Sequence, residues 1–222
     1  MLRSSEYLFI TPGAWCSLIV LVIALIGSKF LPTSWGQENS PIEWLQVVIL
    51  EFAVLAAILA SYYGVGPLHR RRLFLWSVPI WLLAIGRELS WGRVFYVNSA
   101  GEFARLSDLW YGPYIKPLII IISIITIWGL LKQGLPAEIK TWLKFGTVPI
   151  LEILILFTTG IIATEVEHYS LGIFGPNEEL YEELAELVCY SALLFLIIDL
   201  GFNKKIQPAK QPLLARQITH LQ

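Results

Sequence analysis

The chain has 222 residues, of which 56% are hydrophobic and only 15% charged, and its net charge is −1. Its mean hydropathy is +0.65, whereas a water-soluble domain carries about a quarter charged residues to hydrate its surface. No basic patch with interleaved aromatics occurs, so nucleic acid is not an expected partner.

The apolar residues fall into runs long enough to cross about 30 Å of hydrocarbon as helices. Six spans are predicted, over residues 14–31, 43–63, 73–95, 114–131, 147–166 and 181–202. The first follows Arg3, but it is too long for a cleavable signal and no A-x-A-like site follows it, so it reads as a retained helix. The second carries Glu51. Gly64-Val65-Gly66-Pro67 breaks the chain before the third, which contains Pro79, expected to bend it, and ends with Arg87, Glu88, Trp91 and Arg93.

Residues 96–113 form the longest outer connection. Phe103, Leu106 and Trp110 recur there at helical spacing between Glu102, Arg105 and Asp108, which predicts a short helix lying flat on the membrane or covering a site as a lid. The fourth span has Pro117 in its first turn, and Gly134 with Pro136 follows it. The fifth has Pro149 in its first turn, Glu152 near one end, and Glu165 and His168 at the other. The sixth opens with Glu178, Glu179, Glu182, Glu183 and Glu186 and ends with Asp199. The expected fold class is all-α, a polytopic transmembrane bundle of about six helices. Residues 1–203 form a single domain and 204–222 a polar cytoplasmic tail.

Lysine and arginine set the orientation. With the N-terminus inside, eleven fall in inner segments and four in outer ones, with Arg87 within the membrane. Both termini are therefore expected in the cytoplasm, in a cell inner membrane. Of nine tryptophans, all but Trp81 fall near predicted interfaces. Cys16 and Cys189 are expected at depths too different for a disulfide.

An ionisable side chain inside a span costs about 2.5–3.5 kcal/mol on insertion scales and asks for a reason. Helices three and five run outward and helices two and six inward. That puts Glu51, Arg87, Glu88, Glu165, His168, Glu183 and Glu186 in the outer half, with Glu152 and Asp199 toward the cytoplasm. The candidate polar site is Glu51, Arg87, Glu88, Trp91, Arg93 and Glu183. Glu165, His168 and Glu186 are candidate metal ligands, since Glu-x-x-His beside Glu-x-x-Glu is one way a bundle holds metal ions; a divalent metal is the cofactor such a set implies.

Plainer readings stand beside these. Glu178, Glu179 and Glu182 suit the first turn of any helix. Arg87 and Glu88 are equally explained as partners for neighbouring helices. Glu152 is expected to pair with Lys144 or interfacial water, and Asp199 with Lys204 or Lys205. Walker, dinucleotide, H-E-x-x-H and G-x-S-x-G motifs are absent.

The run Gly86-Arg87-Glu88-Leu89-Ser90-Trp91-Gly92-Arg93 resembles a segment that ends a transmembrane helix in a family of uncharacterised bacterial multi-pass membrane proteins. Glu88, Ser90, Trp91 and Gly92 match that segment position by position. Arg87 stands where the family has an acidic residue and Arg93 where it has glutamine. Members are similarly acidic at the start of the last helix, as Glu182, Glu183 and Glu186 are here. The resemblance implies a multi-pass membrane protein and no particular activity. Two classes of function follow from the residues: an outward-facing metal-binding or acid/base site, or a small proton- or ion-coupled carrier, which would need a homodimer. A structural subunit of a membrane complex is the third.

Overall fold

The structure is a computed structural model that describes residues 6–8, 11–97, 102–169 and 177–206, with backbone alone at 6–8, 145 and 167–169. It is all-α apart from one small strand pair. Among the described residues seven α-helices follow in order: α1 Pro12–Gly27, α2 Pro41–Tyr63, α3 Leu68–Glu88, α4 Gly112–Lys132, α5 Leu135–Phe145, α6 Ile150–Tyr169 and α7 Glu178–Phe202. Strands β1 (Glu6–Leu8) and β2 (Thr147–Pro149) pair in parallel, Glu6 opposite Thr147. Pro149, which lacks an N–H, therefore ends a strand instead of opening a helix.

The helix starts follow from local chemistry. Thr11 caps α1 by accepting the Ala14 N–H at 2.9 Å, with Pro12 next. Ser40 caps α2 by accepting the Glu43 N–H at 3.4 Å, and the Glu43 carboxylate accepts the Asn39 N–H in return. Helix α7 is the hub, packed against α6, α2 and α1, while α3 packs on α2 and α4 on α3. One core joins Ala24, Ile42, Ile155, Leu184, Val188 and Ala192. A second joins Leu50, Ala53, Ala57, Trp81 and Ile197, where alanines let α2 lie close to its neighbours.

Among the described residues, three helices, α2, α4 and α7, are long and apolar enough to cross a membrane, as suits a membrane protein. Every predicted span contains a helix, though α1 ends at Gly27, residues 147–149 form strand β2, and α3 begins five residues early and gives way after Glu88 to a kinked stretch, Ser90–Phe95. The surface helix expected over 103–110 is not formed. Leu106–Asp108 makes a single 3-10 turn, and Phe103 is taken into an antiparallel bridge with Val97. So short a segment cannot repay the cost of helix nucleation. Conversely α5, amphipathic and unanticipated, fills the connection after Gly134, which takes the left-handed conformation at φ 81°.

Candidate functional site

The end of α3 and the first half of α7 meet beside the start of α2. Glu88 ends α3, and Glu183 and Glu186 lie one turn apart on α7. One carboxylate oxygen from each of these three residues falls in a group whose members lie within 4.8 Å of one another. Glu88 and Glu186 are buried and Glu183 half-buried. Spacing on α7 accounts for the pairing, because residues three and four apart share a helix face. Tyr190, one turn further, completes that face.

Four polar neighbours organise the trio. Tyr190 donates its hydroxyl hydrogen to Glu88 Oε1 at 2.7 Å, and Arg87 Nη1 donates to the Tyr190 oxygen at 3.3 Å. Arg87 also forms an ion pair with Glu186, and its Nε lies 3.9 Å from Glu88 Oε1. Gln46 of α2 donates through Nε2 to Glu183 Oε2 at 2.8 Å and to the Glu183 carbonyl oxygen at 2.9 Å. Its own Oε1 is fully buried and accepts no hydrogen bond from the described residues. Glu43 adds a further negative charge close enough to act on Glu183 and Glu186.

The other residues singled out from the sequence are dispersed. Arg93 forms an ion pair with Glu38, to which Ser90 also donates at 2.8 Å. This pins the residues after α3 onto the loop before α2. Trp91 folds back on its own helix: a Cβ at Gly86 would lie 2.7 Å from the Trp91 ring. That fold-back needs three consecutive left-handed residues, Ser90 (φ 45°), Trp91 (φ 57°) and Gly92 (φ 85°), a costly backbone for the two that are not glycine.

Glu51 is exposed on α2, about 140° around the helix from Gln46. Glu165 is exposed on α6, lining an open groove with Gly160, Thr164 and Cys189. Among the described residues it belongs to no group of converging ligand atoms. The side chain of His168 lies outside the described residues. Glu152 and Asp199 pair with neither Lys144 nor Lys204 nor Lys205; Asn203 donates to Asp199, and their other partners are Thr11 and the Gly13 N–H. These sit at the buried start of α1, whereas the three lysines are exposed.

Gln46 was not among the sequence candidates. Gln46 had a signal, an uncharged polar residue within an apolar span, but attention to ionisable groups passes it over. No family model, no curated protein and no solved structure matches the chain.

Proposed function

We propose that this chain is an inner-membrane protein of six spans with both termini in the cytoplasm, and that Glu88, Glu183 and Glu186 bind a divalent metal ion in its outer half. The reading rests on one observation, the convergence of three carboxylate oxygens from two helices within 4.8 Å. The Gln46 amide supports it as a neutral polar group beside the trio, since its Nε2 donates to Glu183 Oε2 at 2.8 Å. An all-oxygen donor set suits a hard ion such as Mg²⁺, Mn²⁺ or Ca²⁺. The trio with the Arg87 guanidinium carries two net negative charges and Glu43 adds a third, most of which one such ion offsets. Arg87 then holds Glu186 in place, and Tyr190 holds Glu88. The held ion either activates water for acid–base chemistry at the outer face or is itself the species carried.

The test is metal analysis of protein purified in detergent without chelator, beside Mn²⁺ binding followed by electron paramagnetic resonance. Wild type should bind close to one ion per chain, and Glu88→Gln with Glu183→Gln should lose it. If wild type neither retains metal nor binds added Mn²⁺, the metal reading fails. Proton-linked transport through the same carboxylates then takes its place.

A further inference from the structure

A second pair of acidic side chains lies at the other end of α7. Glu152 on α6 and Asp199 on α7 meet against the first turn of α1, and both are buried, Glu152 completely. Asp199 lies thirteen residues along α7 from Glu186, on the order of 20 Å away. Asp199 Oδ2 accepts the Gly13 N–H at 3.0 Å, and its Oδ1 accepts from Asn203 Nδ2 at 3.4 Å. Thr11 donates its hydroxyl hydrogen to Glu152 Oε2 at 3.3 Å. Glu152 Oε1 has no hydrogen-bond partner among the described residues.

That orphan oxygen faces Asp199. A Cβ built on Gly13 would lie 2.5 Å from Glu152 Oε1 and 2.7 Å from Asp199 Oδ2, which places the two oxygens within about 5 Å of each other. The residue at 13 must therefore be glycine for the pair to close over α1. No basic side chain forms an ion pair with either carboxyl group among the described residues.

We infer that Glu152 and Asp199 form a proton-binding site, in which Glu152 Oε1 carries one proton and donates it to Asp199 Oδ2. Two carboxylates this close and out of water do not both stay ionised without a counter-charge. The start of α1 decides what supplies it. A sixteen-residue helix points its positive end and the Gly13 N–H at the pair, which repels a metal cation and favours one remaining negative charge. The donors divide accordingly. Asp199 receives the Gly13 and Asn203 N–H groups and keeps the charge, while Glu152 has an oxygen left over to hold the proton. A carboxylic acid is a donor through that one oxygen, so the shared proton satisfies the only orphan in the cluster. Losing it would place two charges at one point between α1, α6 and α7, so the packing of α1 depends on proton occupancy.

Infrared difference spectroscopy on the full chain in detergent tests this, with the thermal midpoint read in parallel. Wild type should show a protonated-carboxyl C=O band that is absent in Glu152→Gln. The band should be unchanged in the Glu88→Gln, Glu183→Gln double variant, which separates this site from the outer trio. Glu152→Gln, whose amide can still donate to Asp199, should keep the wild-type midpoint, while Glu152→Ala lowers it. In Asp199→Asn the band should persist but shift, because the proton stays and its charged acceptor is gone. The inference is overturned if no band depends on Glu152. It is also overturned if Glu152→Gln unfolds as early as Glu152→Ala, or if Na⁺ or K⁺ raises the wild-type midpoint, since the pair would then hold a cation.

Discussion

Tyr190 is the residue through which the charges of α3 and α7 are connected. Its hydroxyl gives its hydrogen to the buried Glu88 carboxylate and takes one from Arg87, so a single oxygen aligns both groups. Tyr190→Phe should cost about 1–3 kcal/mol, the penalty for leaving a buried polar group unsatisfied. Thermal unfolding in detergent would read this, and a variant as stable as wild type would show that Glu88 does not depend on the tyrosine. Depth along the chain was enough to nominate Glu88, Glu183 and Glu186, since charges in the outer half of apolar spans stand out. What hydropathy cannot reveal is rotation about the helix axis. Glu51 and Gln46 are five residues apart on α2, yet one is exposed and the other fully buried. Only packing against α7 distinguishes them.

At the scale of elements, the end of α3 is the most constrained piece of backbone. Gly86 admits the Trp91 ring, and the left-handed turn over 90–92 directs Ser90 and Arg93 onto Glu38. Gly86→Ala should therefore displace Trp91 and destabilise the protein by about 1–3 kcal/mol, as overpacking does, with a lowered midpoint as the readout. An unchanged midpoint would mean the ring relocates freely. Helix α5 shows the limit of reading by hydropathy. Its Leu135, Ile139, Trp142 and Leu143 sit at helical spacing, a legible signal, but eleven residues are too few to register as a span. Its place is fixed by tertiary contacts: Glu138 pairs with Arg70 and accepts His69 Nε2 at 3.1 Å, and Trp142 stacks under the Arg70 guanidinium at 5.8 Å. The failed surface helix makes the opposite point, because helical spacing over 103–110 did not outweigh the bridge to Val97.

Taken whole, the molecule turns large apolar side chains outward, among them Ile120, Ile124, Ile127 and Trp128 on α4 and Ile19, Ile23 and Ile26 on α1. Water would penalise such a surface heavily, and lipid does not. If the termini and the 70–72 turn face the cytoplasm, Arg72→Cys should resist an impermeant thiol reagent added to intact cells and react once the membrane is permeabilised. Labelling in intact cells would reverse the proposed orientation. The sequence by itself determined that the chain is helical, where its long apolar helices lie and which charges are out of place, because each depends on the local run of apolar and polar residues. Tertiary structure alone decided that Glu88 meets Glu183 and Glu186 across two helices, that Gln46 joins them, and that Glu152 and Asp199 face each other over Gly13. Those meetings depend on how helices rotate and cross, which is set by packing between residues far apart in the chain.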